Sequence, residues 1–93
     1  METKRFIVYG KVQGVGFRKF TRKHARLNNI VGWVRNNPDG TVEILGRGSA
    51  SNMHNFIEKI KNGPKKAIIK DLKFISHTSK TSLKEFIILY NSK

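Results

Sequence analysis

The chain has 93 residues, with 19 Lys plus Arg against 6 Asp plus Glu and a formal net charge of +13. That length suits one compact domain spanning residues 1–93 and excludes a second core. The lack of any cysteine excludes a disulfide framework, a thiolate metal site and a thiol nucleophile.

In chain order, Met1 to Arg5 runs directly into a strand-like segment, without the long apolar stretch and small-residue cleavage site of a secretory signal. From Arg5 to Val12, Phe6, Val8, Gly10 and Val12 alternate with Ile7, Tyr9 and Lys11, which is strand periodicity with both faces partly apolar and so a central strand. Gln13, Gly14, Val15 and Gly16 then mark a tight strand-to-helix loop. Phe17, Phe20, His24 and Leu27 recur at helical spacing with Arg and Lys on the other face, and Asn28-Asn29 ends that helix. Ile30 to Val34 is a second strand rich in β-branched residues, with Trp33 as a core or sheet-face anchor. Asn37-Pro38-Asp39-Gly40 is a turn, and Thr41 to Leu45 resumes the alternation, completing a β-hairpin.

Ser49 or Ser51 can cap a second helix carrying Met53, Phe56, Ile57 and Ile60 on one face, and Gly63-Pro64 stops it. Ala67 to Phe74 reads as a fourth strand, Ser76 to Ser82 as a polar connection and Glu85 to Tyr90 as a short last strand. The order β-α-β-β-α-β with a short C-terminal fifth strand is that of an α+β ferredoxin-like two-layer sandwich. In that topology the first two strands run parallel with the third between them. Their carboxyl ends emerge at one edge, so the loop of residues 13–18 and Asn36 are expected to meet.

A glycine-containing turn leading into a helix aims several N–H groups at one point, and the helix terminus adds partial positive charge. Arg18, just inside that helix, can take two oxygens of one phosphate through its planar guanidinium. Spacing alone does not separate this cradle from a loop whose glycines merely allow a sharp bend. Asn36 by itself likewise reads as a turn residue ahead of Pro38.

The segment Gly10-Lys11-Val12-Gln13-Gly14-Val15-Gly16-Phe17-Arg18 resembles the acylphosphatase signature. Gly32-Trp33-Val34-Arg35-Asn36, followed by Asp39-Gly40-Thr41-Val42-Glu43, resembles the second conserved segment of the same family, and the end near Tyr90 looks like the family's C-terminal strand. The resemblance implies an acylphosphatase that hydrolyses the carboxyl-phosphate bond of small-molecule acyl phosphates without metal or cofactor. Arg18 and the backbone amides of Gln13, Gly14, Val15, Gly16, Phe17 and Arg18 would bind the phosphate, and Asn36 would hold the attacking water. Inorganic phosphate or sulfate would compete at the same loop.

Other candidates offer less. His24, His54 and His77 have no metal-ligand spacing, the sparse acids Asp39, Glu43, Glu58, Asp71 and Glu85 form no identifiable acid/base pair, and Lys19, Arg22 and Arg35 can at most steer anions. The scattered cations read as solvated surface. An RNA-recognition domain shares the fold class, but Thr41-Val42-Glu43-Ile44-Leu45 lacks the third-strand aromatics of that class, and Tyr9 does not restore them. A third alternative is an acylphosphatase-like accessory module, since similar domains occur within larger proteins. With both functional positions present, the expectation is a free monomeric enzyme, cytoplasmic, with no specific nucleic-acid partner. No apolar run is long enough to cross a bilayer.

Overall fold

The computed structural model describes residues 1–76 and 83–90. Its elements are β1 (Glu2–Lys11), α1 (Phe17–Leu27), β2 (Val31–Asn36), β3 (Val42–Gly48), α2 (Ala50–Asn62), β4 (Ile68–Ile75) and β5 (Phe86–Leu89). They form one five-stranded sheet in the order β4-β1-β3-β2-β5. β1 and β2 each pair antiparallel with β3 and therefore run parallel to one another, while β5 joins β2 in parallel. This is the expected ferredoxin-like α+β sandwich, with β1 an interior strand between β4 and β3, as its two partly apolar faces predict. The connection that follows Ser76, including His77, and the residues after Tyr90 lie outside the described residues.

Period-two alternation sends Phe6, Val8, Val34, Val42, Ile44 and Phe86 to the face under the helices. There they meet Met53, Phe56, Ile57 and Ile60 of α2, all buried as the helical spacing predicts. Ser49 rather than Ser51 caps that helix, its hydroxyl accepting from the Asn52 N–H at 3.1 Å.

α1 packs on a different stripe from the expected one. Phe17, Thr21 and Ala25 are buried, Phe20 and His24 flank the core, and Leu27 is 67% exposed. Small Thr21 and Ala25 let the helix lie close to its neighbours, and the Thr21 hydroxyl donates to the Phe17 carbonyl at 2.8 Å, so its burial leaves no unmet donor. Counting large apolar side chains selects the shoulder of this helix and misses the small residues at its contact line.

β2 and β3 reach farther than expected because pairing carries them: Asn36 pairs with Val42, and Gly48 pairs with Glu2. Trp33 is a sheet-face residue, alternating with buried Val34 and lying 5.0 Å from the Arg35 guanidinium. β4 is an edge strand whose exposed Lys70, Asp71 and Lys73 discourage pairing with another chain.

The face of the sheet away from the helices holds one buried acid. Glu43, 4% exposed, accepts from the Arg5 Nε at 2.6 Å and from the Arg35 Nη2 at 3.2 Å. Burial pushes the Glu43 carboxyl upward, but the hydrogen bonds and charges of Arg5 and Arg35 outweigh it and hold its pKa below the usual carboxylate range. A depressed folded-state pKa makes this contribution fully present above the unfolded value and lost as pH falls through the folded one. Glu43→Gln should therefore cost about 1–3 kcal/mol at neutral pH by leaving two guanidinium groups short of their acceptor. Thermal melts of both proteins from pH 7 down to about pH 3 should show that difference shrinking once the pH drops below the ordinary carboxylate range.

Candidate active site

The strand-to-helix turn after β1 takes its shape from glycine. Gly14 and Gly16 have φ values of 73° and 76°, the left-handed region that costs side-chain-bearing residues energy, and a Cβ at either would meet nothing within 4 Å. The requirement is therefore one of backbone conformation rather than space. Gly16 is the N-cap of α1, no side chain caps that end, and the first turn carries no acid. The helix thus begins with its positive end uncompensated. Hydrogen bonds among the described residues take none of the N–H groups of residues 14–18, while the Gly16 carbonyl accepts from the Phe20 N–H at 3.0 Å.

Gln13 anchors the turn from outside. Its Nε2 donates to the carbonyls of Asn37 at 2.8 Å and Thr41 at 2.9 Å. Those two residues are themselves locked across the hairpin: the Asn37 N–H donates to the Thr41 carbonyl at 2.9 Å, and the Thr41 hydroxyl donates to Asp39 Oδ1 at 2.6 Å. The Thr41 hydroxyl, then the Thr41 N–H, holds the Asp39 carboxyl below its usual range. One amide side chain thereby fixes the loop to the strand end that carries Asn36.

Between them lies a cleft of about 190 Å³ lined by Val12, Gly14, Gly16, Phe17, Arg18, Lys19, Asn36, Ile88 and Tyr90. The structure thus brings together Gly14, Gly16, Phe17, Arg18 and Asn36 from the anticipated site. The Gln13 side chain serves the hairpin instead, and half-buried Val15 packs against the core. Asn36 sits at the last β2 position, and its Oδ1 is buried with no hydrogen-bond partner in the described structure. A buried acceptor without a partner is costly, and this one belongs to a residue that lines the cleft.

Sequence reasoning assigned no lining role to Val12, Lys19, Ile88 or Tyr90. For β5 the signal was available: Phe86, Ile88 and Tyr90 share one face by strand alternation, so a buried Phe86 projects that row into the cleft. The lining includes two cations and no acid, an electropositive setting suited to an anion. His24 stands apart, its ring 4.4 Å from that of Phe20, with burial first and the Lys23 and Lys59 charges second lowering its pKa. His54 lies on exposed α2 surface. Among the described residues no group of three or more His, Asp or Glu side chains is placed to hold a metal ion, and no helix is long and apolar enough to cross a membrane.

Fold and cleft together define a small α+β protein with an electropositive cleft where a helix begins. The acylphosphatase family model matches residues 4–88, and the chain belongs to the acylphosphatase family. It is 39% identical to an acylphosphatase of Bacillus subtilis over 87 residues, 94% of this chain and 96% of the relative. The crystal structure of acylphosphatase from Bacillus subtilis superposes with a TM-score of 0.90 over 97% of this chain and all of that one, at 39% identity. HypF of T. kodakarensis contains a region that matches all of this chain at 30% identity and a TM-score of 0.85, although it makes up 12% of that protein. The chain is accordingly an acylphosphatase, a hydrolase.

Gln13→Ala should lower stability by about 1–2 kcal/mol through two lost hydrogen bonds to partly buried carbonyls. Hydrogen exchange should report faster opening in the loop and the 37–41 turn than at the centre of β3.

Proposed function

We propose that the cleft hydrolyses acyl phosphates by gripping the phosphoryl group at the turn of residues 13–18 and delivering water from Asn36. The observation that carries this reading is a single cleft lined by Arg18, the glycine turn and Asn36, whose Oδ1 has no hydrogen-bond partner in the described structure. The phosphate of the substrate accepts from the free amides of the turn and from the Arg18 fork, which matches two of its oxygens. The Asn36 side-chain carbonyl accepts from water, orienting its lone pair toward phosphorus.

Water attacks phosphorus as the bond to the acyl oxygen breaks. The bonding pair leaves with the carboxylate, and the water proton passes to a phosphate oxygen, giving carboxylate and dihydrogen phosphate. A carboxylate is a good leaving group, so positioning and charge stabilisation supply most of the catalysis and no titrating base is required. The machinery grips phosphate and leaves the acyl group open. Metal and cofactor have no part in this route. We read the enzyme as a single cytoplasmic monomeric domain whose scattered charge gives only weak, salt-sensitive binding to nucleic acid.

Phosphate release from an acyl phosphate such as benzoyl phosphate, with chelator present throughout, tests the activity directly. Arg18→Gln should fold and lose activity by about a hundredfold or more, because it removes charged donors at the transferring group. Near-normal turnover in that variant would sink the phosphate role.

Asn36→Ala should depress kcat far more than it weakens competitive inhibition by inorganic phosphate, since the lost contact belongs to the nucleophile. Single replacement of His24, His54 or His77 should leave most activity, and complete loss in a folded histidine variant would overturn the base-free route.

A further inference from the structure

Among the described residues Arg18 has an aromatic partner and no carboxylate partner. Arg5 and Arg35 share Glu43, and Arg26 approaches Glu85 at 4.0 Å, but the ion pairs among the described residues do not include Arg18. Its guanidinium carbon lies instead 5.0 Å from the centroid of the Tyr90 ring. The difference matters chemically. A carboxylate beside Arg18 would occupy the same N–H fork that a phosphate needs. An aromatic face attracts the cation through its quadrupole and takes no N–H in return.

The sheet explains how Tyr90 arrives there. β5 runs parallel to β2 with Arg35 opposite Leu89, so the next residues along the chain are Asn36, the last of β2, and Tyr90, just past the end of β5. The strand that carries the water-holding residue thus has as its neighbour the strand that leads to the aromatic ring. Tyr90 is 73% exposed and lies outside the core, so packing of the domain does not account for the contact.

We propose that Tyr90 is a positioning residue of the reaction: its ring face holds the Arg18 guanidinium ready for two phosphate oxygens while leaving all the N–H donors free. The proposal rests on the reading of Arg18 as a phosphate ligand. It locates the effect in the ring rather than in the phenolic hydroxyl.

Tyr90→Phe and Tyr90→Leu separate the two. Competitive inhibition by inorganic phosphate, kcat and KM for benzoyl phosphate, and the melting temperature should be measured for each. Tyr90→Leu should raise the phosphate inhibition constant and KM by about threefold to tenfold, with the melting temperature unchanged. Tyr90→Phe should stay within about twofold of the parent on every measure. Phosphate titration followed by amide NMR shifts should show Tyr90→Leu adding no further loss in an Arg18→Gln background. An unchanged inhibition constant in Tyr90→Leu, equal damage in Tyr90→Phe, or a full additional loss without Arg18 would each overturn the proposal. If Arg18→Gln itself retains phosphate affinity and turnover, the failure lies with the phosphate reading, whereas loss in Arg18→Gln beside an unaffected Tyr90→Leu rejects the aromatic restraint alone.

Discussion

The site depends on the two hydrogen bonds from one amide nitrogen of Gln13 to the carbonyls of Asn37 and Thr41. A glycine turn is by nature permissive, and the left-handed backbone at Gly14 and Gly16 could be held in many relations to the rest of the sheet. Gln13 removes that freedom by fastening the turn to the hairpin that begins directly after Asn36. The glycine turn and Asn36 therefore keep a fixed separation. On the proposed route, which relies on placement rather than on a strong base, such fixity is a catalytic property as much as a structural one.

The protein handles its charge in two distinct ways. On the open face of the sheet a single buried acid, Glu43, gathers Arg5 and Arg35, and Arg35 also lies over Trp33. Those cations are largely spoken for. In the cleft, Arg18 and Lys19 face no acidic lining residue, and the helix end beside them carries no acid to quench its dipole. Net charge alone describes neither arrangement. What distinguishes the cleft is that its positive groups line the same space as a glycine turn whose N–H groups have no partner among the described residues.

Much of this was legible in the sequence, for identifiable reasons. Alternation in Phe6 to Val12 and the Asn37-Pro38-Asp39-Gly40 turn are local signals, and the order of elements then admits few topologies. The meeting of Arg18 with Asn36 follows from that topology together with two separated motifs. Other features depend on distant partners and leave little local trace. Thr21 and Ala25 form the buried line of α1 because close approach favours small side chains, whereas hydrophobic spacing favours Phe20 and Leu27. The side-chain role of Gln13 is set by carbonyls more than twenty residues away. Tyr90 reaches the cleft only because β5 adds to β2 in parallel and in one particular register.

The interleaved order β4-β1-β3-β2-β5 also bears on how the enzyme comes into being. Arg5 pairs with Ile75 and Glu2 with Gly48, so β1 finds its partners only after long loops have closed, and loop closure of this kind slows folding relative to local contacts. The cleft draws on the ends of β1, β2 and β5, none of which is adjacent to another in the chain. A fold lacking β2 or β5 therefore lacks one wall of the cleft, and the return of turnover after dilution from denaturant registers completion of the whole topology.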